Sequence, residues 1–207
     1  MPRKIFIRTT LVHEPRATKP TPLTDELAAW IVGRMTRDQL AKRIADVSLL
    51  RGEFTLRSGR KSNYYLDKYR FETQPDVLAA LGKMLADRIG GHVDRIAGPE
   101  LGAVPLAAAA GMVSGKPTVF IRNAKKEYGS AKQIEGVLNA GDTVVLIEDI
   151  VTTGGQVVEA IATLRAAGAT IDKVLVVIDR LEGGQENILA TGVNYEALFT
   201  TKDLGIA

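Results

Sequence analysis

The sequence predicts an α/β fold, a central parallel sheet flanked by helices. Short strand candidates at 95–97, 118–121, 144–147 and 174–178 alternate along the chain with longer segments of helical periodicity. The runs 144–147 (VVLI) and 174–178 (VLVVI) carry no polar residue, as strands covered on both faces require. Strand and helix in turn are the pattern of crossover units, which put helices on both faces of a parallel sheet.

The elements follow in order. Residues 1–22 hold four prolines and five cations (Arg3, Lys4, Arg8, Arg16, Lys19) against one acid, Glu14, and read as a loosely ordered basic extension with room for a short strand at 5–7. Residues 23–207 read as one domain. The stretch 24–50 is helical, and Thr36 followed by Gln39 has capping-box spacing. Leu40, Ile44, Val47 and Leu50 then fall on one face. Residues 54–67 read as two short strands around Ser58-Gly59-Arg60, a turn signal. Pro75 suits the first turn of a helix whose buried face is Val77, Leu78, Leu81, Met84, Leu85 and Ile89, with Gly90-Gly91 as its end. An Ala-rich helix is expected at 104–112, and another through Val157, Val158, Ile161 and Leu164, closed by Gly168. Residues 122–136 (RNAKKEYGSAKQIEG) show no helical stripe and read as a long polar loop, a length that points to function.

A chain of 207 residues suffices for one sizeable core. With 45% apolar and 25% charged residues, it has an ordinary globular balance. The absence of cysteine excludes disulfides, thiolate zinc sites and cysteine nucleophiles. Aromatic residues are only 5%, which leaves few stacking platforms for single-stranded nucleic acid. The net charge of +3 suits an anionic small molecule and is too mild to argue for nucleic acid. No apolar run approaches the roughly 20 residues that span a bilayer, and 5–7 is too short for a signal sequence. The expectation is a cytoplasmic protein with neither nucleic-acid nor membrane partner.

The chemistry concentrates in 144–156, VVLIEDIVTTGGQ. A buried strand delivers Glu148 and Asp149 to its C-terminal end, the edge where open α/β sheets bind ligands. Thr152, Thr153, Gly154 and Gly155 then turn into a helix, where small residues expose backbone N–H groups to an anion and the helix N-terminus favours negative charge. The acids can accept from vicinal hydroxyls and the turn can hold a phosphate, so a sugar phosphate satisfies both. The Gly-Lys-Ser/Thr ending of ATPase loops and the G-x-G-x-x-G of dinucleotide binders are both missing.

This segment resembles the phosphoribosyl-pyrophosphate (PRPP) motif of type I phosphoribosyltransferases. The resemblance implies that Glu148 and Asp149 take the ribose hydroxyls while Thr152, Thr153, Gly154, Gly155 and Gln156 hold the 5′-phosphate. It also implies that family's fold, with a small hood over the sheet built from about 23–68 plus C-terminal residues, and a core of about 69–190. Residues 54–67, FTLRSGRKSNYYLD, resemble the N-terminal signature of the orotate phosphoribosyltransferases, with Arg57 where a phosphate-reaching lysine is common. Residues 98–107, GPELGAVPLA, resemble the pyrophosphate loop, assigned to Glu100, Leu101 and Gly102. Some members carry a lysine at the position of Gly102. Arg122, Lys126, Tyr128 and Gly129 match the mobile catalytic loop; Lys126 aligns with the lysine that assists catalysis, Asn123 replaces another lysine, and Lys125 is an extra cation. Arg180, in DRLEGG, matches the arginine that binds the orotate carboxylate, with Thr152, Tyr64 and Tyr65 near the base.

The function implied is transfer of the phosphoribosyl group of PRPP to orotate, giving orotidine 5′-phosphate and pyrophosphate. Lys126, Glu148 and Asp149 are the expected catalytic residues, and Arg57, Arg122, Lys125 and Tyr128 join in holding PRPP. Mg²⁺ is the implied cofactor, held mainly by PRPP with no direct protein ligand. A homodimer is implied, with loop 122–136 shared across the interface. Two rivals are a purine or uracil phosphoribosyltransferase and a regulator of the same fold that binds nucleotides or nucleic acid without turnover.

Overall fold

Thr36 opens the first helix of the described residues, α1 (Arg37–Ser48), through the expected capping box: the Gln39 N–H donates to the Thr36 hydroxyl and the Gln39 side chain accepts from the Thr36 N–H. Leu40 and Ile44 are fully buried, and Val47 packs on the same core. The computed structural model describes residues 35–55, 61–123 and 133–206. The extension 1–22, the Ser58-Gly59-Arg60 turn, Arg57, Lys125, Lys126, Tyr128 and Gly129 lie outside those residues. Leu50 does not continue the helix face. Leu49 turns extended directly after Ser48, so Leu50 sits in β1 (Leu49–Thr55), opposite Tyr65 of the antiparallel strand β2 (Lys61–Leu66).

The short helix α2 (Lys68–Glu72) leads to α3 (Pro75–Ala86), with Pro75 in its first turn and Val77, Leu81 and Leu85 buried. The helix stops before Gly90-Gly91 because the N–H groups of Arg88 and Ile89 reach back only three residues, which tightens the chain into a turn. There follow β3 (Arg95–Pro99), α4 (Ala103–Ser114), β4 (Thr118–Ile121), β5 (Ile134–Glu135), β6 (Thr143–Val151), α5 (Gly155–Ala166), β7 (Thr170–Asp179), α6 (Gly184–Leu189) and β8 (Asn194–Thr200).

Six strands form one sheet in the order β5-β4-β3-β6-β7-β8, parallel throughout except for the antiparallel edge strand β5. Two boundaries differ from the sequence reading. Residues 134–135, expected in the loop, pair with Phe120 and Ile121. The sheet also runs past residue 190, since β8 bonds to β7 as far as Thr200.

Strand β6 shows how the sheet is held: Val145 and Ile147 enter one buried cluster with α1, α3 and α4, while Val144 and Leu146 enter the other with α5 and α6. Arg37 ties α1 to the far end of the chain, donating to the Leu198 carbonyl at 2.9 Å and pairing with Asp203 at 2.9 Å. Among the described residues, no helix is long and apolar enough to cross a membrane.

The chain builds β3 and then β4 to one side, returns to β6, and proceeds to β7 and β8 on the other. The strand order therefore reverses between β3 and β6, and the crevice at such a switch point is where open α/β sheets place ligands.

Candidate active site

Both acids of β6 stand at this switch point. The strand runs on to Val151, so Glu148 and Asp149 lie inside its last turn of pleat and are 6% and 2% exposed. Asp149 accepts a hydrogen bond from the Lys68 ammonium at 2.7 Å. Glu148 Oε2 is buried without a hydrogen-bond partner, as are both carboxyl oxygens of Glu72 at the end of α2.

Four titratable groups share this small volume, and burial shifts three of them. Burial, then the Asp149 charge, hold the Glu148 carboxyl well above its ordinary range, against the opposing pull of Lys68. The same two causes push Glu72 up to about 8. Burial draws the Lys68 ammonium down, but the charge and hydrogen bond of Asp149 outweigh it and leave its pKa raised.

The turn after β3 closes over these acids. At Gly102 an added Cβ would lie 1.8 Å from Asp149 Oδ2 and 2.9 Å from Glu72 Oε1, so only glycine lets the loop approach. Glu100 Oε1 accepts from the Asn123 N–H at 2.7 Å, which ties this turn to the end of β4, and Leu101 is largely exposed. A cavity of about 340 Å³ results, walled by Lys68, Glu148, Asp149, the Glu100–Leu101 turn, Asn123 and Gln156. A larger hollow of about 570 Å³ between α1 and the C-terminal turn holds none of the residues singled out by sequence.

Thr152 to Gln156 form the β6–α5 turn, with Gly154 at φ +78°. No side chain caps α5, so its first N–H groups remain available to an anion. The turn is braced from beneath: Asn187 donates to the Thr153 carbonyl at 2.9 Å, and Gly184 packs so closely that a Cβ there would meet Val151 Cγ1 at 2.1 Å.

On the other side of β6, the Arg180 N–H donates to the Val151 carbonyl at 2.9 Å, which fixes Arg180 beside the β6–α5 turn. Buried Asp179 shapes the β7–α6 turn that carries Arg180 by accepting from the Leu181 N–H at 2.7 Å and the Tyr195 hydroxyl at 2.8 Å. The Arg180 guanidinium donates to the Tyr64 hydroxyl at 3.2 Å, pairs with Glu182 at 3.0 Å and lies 5.7 Å from the Tyr64 ring centroid; its Nε is buried without a partner. Tyr65 points from the opposite face of the hairpin and packs its ring 5.7 Å from that of Phe54, away from Arg180.

Arg122 stands at the base of the long loop. Its N–H donates to the Gln133 carbonyl at 2.8 Å and its own carbonyl accepts from the Gln133 amide at 3.0 Å, so the two ends of the loop are pinched together beside the cavity. The guanidinium lies 3.8 Å from Glu135. Lys68, Glu72, Asp179 and Asn187 were not singled out from sequence. Only the Asp179-Arg180 dipeptide carried a local signal, and it was read for its arginine alone.

Residues 70–193 match the model of the phosphoribosyl transferase domain family. The orotate phosphoribosyltransferase of Natronomonas pharaonis is 45% identical over 171 residues, 82% of this chain and 98% of that one. Among solved structures, the orotate phosphoribosyltransferase of Aeropyrum pernix superposes with a TM-score of 0.71 at 31% identity, covering 80% of this chain and 95% of that one. The Mycobacterium tuberculosis orotate phosphoribosyltransferase in complex with PRPP gives 0.69 at 30% identity, covering 82% and 98%.

Proposed function

The chain belongs to the phosphoribosyltransferase family as an orotate phosphoribosyltransferase, and we propose how its residues divide the transfer of the phosphoribosyl group of PRPP to orotate in pyrimidine biosynthesis. The observation that carries the reading is a buried acid pair at the switch point, with an uncapped Thr-Thr-Gly-Gly turn on one side and the Arg180–Tyr64 pair on the other.

Glu148 and Asp149 accept from the ribose hydroxyls, and a hydroxyl donor would satisfy the orphaned Glu148 Oε2. Thr152, Thr153, Gly154, Gly155 and Gln156 receive the 5′-phosphate. Arg180 receives the orotate carboxylate through its fork, a planar match for a bidentate acceptor, with Tyr64 beneath it and Thr152 at the base. The roles of Tyr65, Arg57, Lys125 and Tyr128 stay with the family resemblance, which places the first near the base and the others on PRPP.

Departure of pyrophosphate builds positive charge on the ribose, as in glycosyl transfer generally. The Glu100–Gly102 turn lines the side where the leaving group sits. Arg122 anchors loop 122–136 at that side, and Lys126 on the loop would close over the departing anion, exclude water and stabilise its charge. The donor set suits a cation that arrives with the substrate: the cavity is acidic, with buried carboxyl oxygens unpaired, yet no three side chains among the described residues converge as metal ligands. Mg²⁺ would be held chiefly by PRPP oxygens and supply charge neutralisation of the pyrophosphate. The resemblance further supports a cytoplasmic homodimer whose loops reach across to the neighbouring cleft, and a hood formed by α1, the β1–β2 hairpin and the C-terminal residues.

Orotate consumption followed by ultraviolet absorbance tests the reading. Loss of orotate should need both PRPP and Mg²⁺, and hypoxanthine and uracil should not be consumed. Folded protein that turns over no base would instead mark the cleft as the nucleotide site of a regulator.

A further inference from the structure

Of the described side chains lining the 340 Å³ cavity, Lys68 alone is cationic, whereas Glu100, Glu148 and Asp149 are acids. An anion as charged as pyrophosphate meets net repulsion there without a cation in the wall. Lys68 comes from α2, outside all the loops that the sequence singled out, and its side chain is 30% exposed beside a carboxylate that is 2% exposed. Its ammonium donates one of its three N–H bonds to Asp149 at 2.7 Å. The approach is possible because residue 102 has no side chain: the Asp149 carboxylate that Lys68 holds occupies the space a Cβ would need.

We propose that Lys68 is a pyrophosphate-binding residue of the active site, bridging Asp149 to the diphosphate of PRPP and to released pyrophosphate. The proposal rests on the reading of this cavity as the leaving-group side. One ammonium N–H keeps donating to Asp149 and holds that carboxylate aimed at a ribose hydroxyl. The remaining protons face the cavity and donate to the diphosphate. The cation thus couples the ribose contact to the leaving-group contact.

A purely structural lysine would act only through Asp149, and the ligands separate the two cases. Pyrophosphate with Mg²⁺ has no ribose; orotidine 5′-phosphate has ribose and no diphosphate. Calorimetric titration of Lys68→Gln, whose amide can still donate to Asp149, should show pyrophosphate binding weakened about 10- to 100-fold, the loss expected for a charge-assisted contact. Orotidine 5′-phosphate should stay within about threefold of wild type, and Lys68→Arg should recover part of the pyrophosphate affinity. Unchanged pyrophosphate binding in Lys68→Gln, or equal loss of both ligands, overturns the proposal. A measurement on the wild-type enzyme covers the case in which the variant does not fold. Pyrophosphate should protect Lys68 from an amine-acylating reagent, as read by peptide mass spectrometry, and orotidine 5′-phosphate should not; acylation at the same rate with and without pyrophosphate overturns the proposal. Wild-type enzyme that binds no pyrophosphate in competition with PRPP would overturn the cavity assignment itself, a different result from either.

Discussion

Arg180 is held on one side by Tyr64 and Glu182 while its Nε finds no partner, an arrangement that leaves part of a rigid fork unused in a mostly buried setting. A planar carboxylate uses that geometry, and a charge-assisted hydrogen bond contributes about 1.5–3 kcal/mol. Arg180→Ala should therefore raise KM for orotate on the order of 10- to 100-fold and leave KM for PRPP within a few-fold. Arg180→Lys should recover little, because an ammonium is not a fork. Steady-state kinetics with each substrate varied in turn decide it, and equal losses for both substrates would remove Arg180 from base recognition. At this scale the sequence was legible where a residue type carries its own chemistry: Arg180, the acid pair and the threonines of the turn all lie at the carboxyl edge of the sheet. Lys68 and Glu72 were illegible, because their importance comes from Gly102 and Asp149, which are distant in sequence and meet them only through the fold.

The β6–α5 turn depends on a second element beneath it. Gly184 opens α6 against Val151 and the Thr152 carbonyl, where an added Cβ would meet them at 2.1 and 2.6 Å. Overpacking of this kind costs about 1–3 kcal/mol, and in a chain of this size each kcal/mol lowers Tm by roughly 2–4 °C. Gly184→Ala should thus lower Tm by several degrees and, because the displaced atoms belong to the turn, raise KM for PRPP more than KM for orotate. Asn187→Ala, which removes one hydrogen bond to the Thr153 carbonyl, should have the milder form of both effects. Calorimetry paired with kinetics checks both variants, and a Gly184→Ala enzyme with wild-type KM for PRPP would show the turn to be indifferent to its support. Elements were legible where apolar runs are continuous: β4 was placed to the residue, and β6 and β7 were found through their cores. The two-residue β5 was hidden, having too few residues for any period, and so was β8, whose NYEALFT mixes polar and apolar positions. Leu50 was misplaced because its spacing continues the helical stripe after the backbone has already turned extended.

The whole molecule buries Glu72, Glu148 and Asp149 together, with Lys68 as the one ammonium beside them among the described residues, so folding disfavours ionisation of all three carboxyls at once. The fold class was legible from alternation alone, but the order of the strands was not, since parallel crossovers of similar length can build a sheet in either direction. Burial of this cluster sets the pH dependence of stability. Burial, then the charge of Asp149, raise Glu72 from 4.5 to about 8. A group with a raised folded-state pKa binds more protons in the folded than in the unfolded state, so stability falls as pH climbs through that interval. Its contribution is fully present below about 4.5, is lost progressively toward pH 8, and changes no further above it. Glu148 is displaced in the same direction, so it adds to the slope and keeps part of it when Glu72 is removed. Glu72→Gln cannot ionise. Its Tm should differ from wild type by some fixed offset near pH 4.5, and the difference should shift in favour of the variant up to about pH 8 and then level off. At about 1.4 kcal/mol per unit of displacement, the gain is on the order of a few kcal/mol. Thermal melts of both proteins across pH 4.5–9 measure it. Parallel curves would mean that Glu72 is already ionised in the folded protein, and that the carboxylates at the switch point are neutralised by more than Lys68.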